Sequence, residues 1–438
     1  MESLTVGFLG IILFVVLILL SVPITYAMAA VGIGGLISVY GIAGVVEFIP
    51  AKLYSFSSTF TFAALPLFLL MGFVAFYADL SKDSYDAARA WLGKIPGGLA
   101  VATVYACALF GAVSGSGLAE AAVFSKIAVP EMLKSGYNKR LSLGVVAAAS
   151  GIDALIPPSI LMVVLGVMTE TSIGKLLIAG ILPGVLFAVV MAAAISLFCH
   201  LKPAYAPRIG SIDTSWKTRL RTLRNIWAVC ILFILVLGSI YMGWATPDEA
   251  AGVGVIGAIL VLIQRRKFSW SNLAYAAIDC GKASAMLFLL CGTATIFTQF
   301  LSVTKVIPTM TAWMTGMDLP FWLLMVILVV LYLFLGCLLD SVSMLVLTLP
   351  FVVPMMQSHG ANIIWFGVVF VMLACIGGIT PPFGLTIFVM KGTLGETVEL
   401  NDIFAGALPF VLLQLFLVAI LCFFPQISLW LPGVMFGK

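Results

Sequence analysis

Two proline pairs carry the chemistry of this sequence, one in "DALIPPSI" at 153–160 and one in "GGITPPFG" at 377–384. Proline has no backbone N–H and its ring clashes with the preceding turn, so each pair interrupts a helix. An interrupted helix has two inner ends. Carbonyls freed at the end of the first half attract a cation; N–H groups at the start of the second half, with the helix dipole, attract an anion. Upstream of each pair lies a cluster of small polar residues, "SGSG" at 114–117 and "DSVS" at 340–343. Ser114, Ser116, Asp340, Ser341 and Ser343, with Thr380 at the second break, offer the oxygen ligands that hard cations prefer. A plain kink and ordinary small-residue packing are the structural alternatives. Duplication of both features favours binding.

The elements that must position these residues are extremely apolar. Of 438 residues, 63% are hydrophobic and 9% charged. Mean hydropathy is +1.21. Charge-free stretches run over 3–46, 53–78, 95–119, 225–247, 250–264, 283–304, 319–339, 341–390 and 403–437. At roughly 20 residues per crossing they hold about a dozen crossings or re-entrant segments. The expected fold class is an all-α polytopic membrane protein. Non-helical backbone at membrane depth must be buried in protein or line a wet cavity, so both breaks are expected to do so.

The remaining composition narrows the function. Glu2, with no basic residue before the first apolar run, argues for a retained first helix rather than a secretory signal. The segment 201–224 carries Lys202, Arg208, Lys217, Arg219, Arg221 and Arg224 against Asp213 alone, and Arg265, Arg266 and Lys267 follow. Positive loops stay cytoplasmic, which puts the turn at Asp248 and Glu249 outside; nucleic-acid binding is not expected of loops beside membrane helices. Eight scattered cysteines without a CxxC pair, and two distant histidines, His200 and His359, read as packing groups rather than a metal centre or disulfide framework. No phosphate loop and no cluster of nucleophile and base appears, which argues against direct ATP drive and against an integral membrane enzyme.

The chain contains itself twice. "LFLLMG" at 67–72 recurs as "LFLLCG" at 287–292, the proline pair at 157–158 recurs at 381–382, and "AGILP" at 179–183 recurs as "AGALP" at 405–409. The polar clusters keep the same order between them. The expected division is N-terminal scaffold helices over 1–56, a first repeat over 57–198, connecting basic loop and scaffold helices over 199–282, a second repeat over 283–424 and a tail over 425–438. Inverted repeats whose broken helices meet near the midplane are common in secondary transporters. Each repeat is expected to hold one re-entrant hairpin and one proline-broken helix.

The series "SGSG…GYNKR…IPPS…TETSIGKL…AGILPG" at 114–184, "ATPDEAAGVGV" at 245–255 and "GITPPFG" at 378–384 resembles the large membrane subunit of tripartite ATP-independent periplasmic (TRAP) transporters. The resemblance covers essentially the whole chain. It implies an elevator-type carrier in the bacterial inner membrane, importing a small organic anion with two or more sodium ions. It also implies a small four-helix membrane subunit and a periplasmic substrate-binding protein, within a setting of membrane lipid. Carried over by residue, one sodium site takes Ser114 and the carbonyls of Ile156 and Pro158. A second takes Gly336, Gly377, Thr380 and Met390, largely through backbone oxygens. The substrate is expected against Ser114, Ser116, Ser159, Asp340, Ser341, Ser343 and Pro382. An elevator-type anion carrier that needs no binding protein is the alternative.

The sequence departs from the family pattern at Ser116-Gly117, Ala119-Glu120, Asp153 and Cys375. Intramembrane charge is a functional candidate by default. Asp340 can hold sodium or cap a half-helix, and Asp153 can couple a cation or proton or serve structure. Glu120 and Lys126, six residues apart, make no helical pair and are placed near the interface. Lys305 is read as snorkelling to the membrane surface.

Overall fold

The computed structural model describes residues 3–207, 215–317 and 319–437; Glu2, Arg208 and Asp213 lie outside them. Among the described residues the chain is helical, with short 3-10 turns and no strand. It begins with α1 (Ser3–Leu19), α2 (Ile24–Ser57), α3 (Ala64–Tyr77) and α4 (Leu80–Leu92). Then come α5 (Gly98–Ser114), α6 (Gly117–Lys134), α7 (Lys139–Ala149), α8 (Ile160–Met168) and α9 (Ile173–Leu201). The middle is α10 (Trp216–Asn225), α11 (Trp227–Tyr241), α12 (Pro247–Gln264), α13 (Trp270–Val303) and α14 (Val306–Gly316). The chain closes with α15 (Phe321–Leu338), α16 (Ser341–Ser358), α17 (Ile363–Gly377), α18 (Leu385–Leu394), α19 (Leu400–Phe423) and α20 (Gln426–Phe436).

Eight helices among the described residues are long and apolar enough to cross a membrane, or nine if α10 and α11, bent by 42°, count as one span. Four shorter apolar helices, α1, α5, α17 and α20, bring the apolar segments to about the dozen crossings or re-entrant segments expected from charge-free length. The 17 residues of α5 make a rod of about 25 Å, short of the roughly 30 Å hydrocarbon core. Likewise α17 stops at the second proline break after 15 residues.

Helix pairs α5/α6 and α15/α16 are antiparallel hairpins. The Leu99 N–H at the start of α5 donates to the Tyr137 hydroxyl just beyond α6 (3.3 Å), and the Phe110 and Phe124 rings meet midway at 6.2 Å. In the second hairpin the Phe321 and His359 rings lie 6.3 Å apart, and the Tyr332 hydroxyl donates to Thr348 Oγ1 at 3.1 Å. Each hairpin ends at a left-handed glycine, Gly136 or Gly360, followed two residues later by an asparagine. Asn138 Oδ1 accepts from the backbone of Arg140 and Leu141, and Asn362 Oδ1 from Ile364 and Trp365, so each caps the broken helix that follows. The chain runs from α7 through the break at 150–159 into α8, and from α17 through the break at 378–384 into α18.

Burial separates two kinds of helix. Nearly every side chain of α5, α7 and α17 is buried, whereas α2, α13 and α15 keep large apolar residues such as Tyr40, Leu289 and Phe334 exposed, as lipid-facing helices do. Charges gather at the helix ends. Arg265 pairs with Asp83, Lys267 with Asp79 and Arg89 with Glu131. The Arg219 guanidinium is held between the Trp91 and Trp216 rings, at 5.6 and 5.3 Å, which joins α10 to α4. At the acidic turn, Thr246 and Glu249 form a reciprocal cap on α12.

Candidate functional site

Each hairpin tip presses on the break of its own half. In the first, Gly115 has φ +63°, and a Cβ there would stand 2.5 Å from the Pro158 carbonyl oxygen; only glycine satisfies both demands. Ser114 is buried, and its hydroxyl donates to Glu120 Oε1 at 3.5 Å. Ser159 Oγ accepts from the Met162 N–H (3.3 Å) and so caps α8. Ile156 is half-buried, with its side chain against Gly184 on α9.

The second contact uses backbone on both sides. A Cβ on Gly336 or on Gly377 would fall 2.6 Å from the other's Cα, so α15 and α17 touch without side chains. The Cys337 thiol donates to the Pro381 carbonyl at 3.0 Å. The Thr380 hydroxyl donates to the Ile376 carbonyl (2.6 Å), which leaves its lone pairs free to accept. Asp340 takes the capping role: its carboxylate accepts from the N–H groups of Val342 (3.1 Å) and Ser343 (3.0 Å) and from the Ser343 hydroxyl. Met390 is fully buried on α18, which packs on α6 and α19.

Both tips and both breaks share one open cavity. Of the residues expected to face a substrate, Ser116, Ser159, Asp340 and Ser341 lie on its wall. Ser114 lies instead on a second, largely apolar cleft behind the first tip, lined also by Gly72, Phe76 and Asp279; Ser116 is on the walls of both. Ser343 is buried behind Asp340 and Pro382 is exposed; neither lines the main cavity. Ile156, Pro158, Gly336, Gly377, Thr380 and Met390 sit outside the wall as well, where the tips meet the breaks or beyond them. Sequence reasoning missed Ser150 and Thr386, which do line it. Thr386 was within reach as the first hydroxyl after the second proline pair.

The internal symmetry is visible in the contacts. Gly151 and Cys375 are 224 residues apart, the same offset as the proline pairs, and they touch: a Cβ on Gly151 would lie 3.0 Å from Cys375 Cβ. Gly111 lies against Asp153, just as Gly336 lies against Gly377. Glu120 is fully buried in protein, beside Asp153 at Gly111. The cavity wall carries two carboxylates, Asp153 and Asp340, and no basic side chain.

The family model for the tripartite ATP-independent periplasmic transporter, DctM component, matches residues 11–427. The C4-dicarboxylate TRAP transporter large permease protein DctM of Pseudomonas aeruginosa is 33% identical over 384 residues, covering 87% of this chain and 88% of that protein. The ectoine/5-hydroxyectoine TRAP transporter large permease protein UehC of Ruegeria pomeroyi is 32% identical over 442 residues, covering 97% and 98%. Among solved structures, the YdaH transporter of Alcanivorax borkumensis shares the fold at a TM-score of 0.59 and 15% identity, over 90% of each chain. These are transporters, not enzymes. A multi-pass helical chain with duplicated hairpins and proline breaks around one cavity, matched almost end to end by that model, belongs to the TRAP transporter large permease family.

Proposed function

We propose that the chain is the permease of a sodium-coupled uptake system for a small organic acid in the bacterial inner membrane. One observation carries this reading: both hairpin tips and both breaks open onto a single cavity. Freed carbonyls and half-helix N-termini there offer seats for cations and for an anion together. Sodium binds where tip meets break, at Ser114 with Ile156 and Pro158, and at Gly336, Gly377 and Thr380 with Met390. Each ion ties a tip to its break and so shapes the cavity for substrate against Ser116, Ser159, Asp340 and Ser341. The repeats over 57–198 and 283–424 then move as a body against the scaffold of 1–56 and 199–282, in an elevator-type cycle. A small four-helix subunit and a periplasmic binding protein complete the system. Relatives named for C4-dicarboxylates, for ectoine and for isethionate support a small carboxylate or sulfonate as the substrate.

The test is uptake into proteoliposomes that hold this chain and the small subunit, with the purified binding protein outside. A panel of labelled carboxylates and sulfonates is offered with an inward sodium gradient or with choline in its place. Accumulation that needs both sodium and binding protein is the expected result. Equal uptake in choline removes the sodium coupling, and uptake without binding protein favours the simpler anion carrier.

A further inference from the structure

Two carboxylates lie buried beside the first tip, and the transport cycle described above gives them no task. Glu120, in the first turn of α6, is 0% exposed; Asp153, in the first break, is 1% exposed. Both lie against Gly111 of α5: from the point where a Cβ would stand there, Asp153 Cβ is 2.9 Å away and Glu120 Oε1 3.0 Å. Near Gly117 the Ser150 carbonyl oxygen and Asp153 Oδ1 converge, 2.7 and 2.9 Å from the equivalent point. Glu120 Oε2 and Asp153 Oδ1 are fully buried and accept no hydrogen bond. No lysine or arginine among the described residues pairs with either acid, and the Ser114 hydroxyl is the one side chain that donates to Glu120.

Acceptors thus gather with too few donors, Asp153 at the edge of the main cavity and Glu120 off it. A buried carboxylate without partner is among the most expensive arrangements a protein can hold, and a second one beside it adds repulsion. A positive species in that space removes both costs. Its size is limited by the glycines around it, and its ligands are all oxygen, which suits a small hard cation rather than an organic amine. The second half provides the contrast. Where Gly111 meets Asp153 in the first half, Gly336 meets Gly377 in the second, and the nearest atoms there are all glycine backbone.

We infer that Glu120 and Asp153 form an acidic seat for a small hard cation, made by side chains, which pins the first hairpin to the first break. The seat adjoins the first sodium site proposed above, because the Ser114 hydroxyl donates to Glu120, but its ligands are carboxylates rather than backbone carbonyls. It goes beyond the sodium-coupled reading and does not depend on transport, because it predicts binding to the resting chain. Glu120 comes from the returning arm of the hairpin and Asp153 from the break, so the ion bridges two segments that must part for the tip to move.

The experiment is equilibrium cation binding to the full chain in nanodiscs, with labelled sodium and labelled calcium in separate arms and choline holding ionic strength constant. Glu120→Gln, Asp153→Asn and the double variant are compared with the native chain and with Thr380→Val. The expected result is loss of one bound ion per chain in the double variant. Each single variant should raise the half-saturating concentration of that ion about tenfold or more, and the arm in which this happens identifies the ion. Thr380→Val tests the carbonyl-based site of the other half, so its ion is lost or kept independently. Unchanged ion number and affinity in the double variant overturn the seat, even if sodium coupling stands. Should the variants not fold, hydrogen exchange of the native chain decides. Slower exchange at 114–120 and 150–154 on adding the cation supports the seat, and no change overturns it.

Discussion

The two tip-to-break contacts do the same job with different materials. The first half joins them through a left-handed glycine under a proline carbonyl, with two acids buried alongside. The second joins them through two glycine backbones, and its one acid, Asp340, is spent on capping α16. A contact that depends on a positive φ has two ways to fail, steric and conformational, and one made by backbone approach has only the steric one. The first contact should therefore be the more brittle.

Gly115→Ala should produce the largest effect. It adds left-handed strain of about 1–2 kcal/mol and overpacking against the Pro158 carbonyl of about 1–3 kcal/mol. Thermal unfolding in detergent should show a marked loss of stability, and uptake should disappear. Gly336→Ala meets only the steric term, about 1–3 kcal/mol. A larger loss at Gly336 than at Gly115, measured side by side, reverses the ranking and breaks the comparison.

Thr380→Val sharpens it in a different way, because shape is kept and one oxygen is removed. An unmade buried polar contact costs about 1–3 kcal/mol, so half-saturating sodium for uptake should rise about tenfold or more while the fold survives. Sodium dependence equal to that of the native chain reduces the second break to a hinge. Asp340→Ala should be the mildest, at about 0.5–2 kcal/mol for a lost cap, and Asp340→Asn milder still because asparagine caps as well. If Asp340→Asn instead abolishes sodium dependence with stability intact, the carboxylate is a ligand and not a cap.

Much of this was legible in the sequence because it is local. Proline pairs break helices wherever they occur, and "SGSG" and "DSVS" mark tips because small polar residues suit tight reversals. One further local repeat went unread: the glycine and asparagine at 136 and 138 recur at 360 and 362, at the proline offset, and both pairs end a hairpin and cap a helix. What the sequence hid is tertiary. Glu120 and Asp153 stand 33 positions apart, and no periodicity brings a hairpin arm to a break. Gly151 against Cys375 is a meeting of two halves that pattern alone does not predict. About a dozen apolar segments were legible, but which of them cross and which are re-entrant was not, for a related reason. An apolar run records what surrounds a segment, and a hairpin buried in protein is as apolar as a helix in lipid.

Ser116 faces the main cavity on one side and the cleft behind the hairpin on the other. At that point the two spaces share a wall residue. A shared wall has a practical use: a reporter placed on it senses both compartments without being moved. A cysteine at Ser116, probed with thiol reagents of increasing size, would measure the aperture on each face and show which chamber widens when cation and substrate are added.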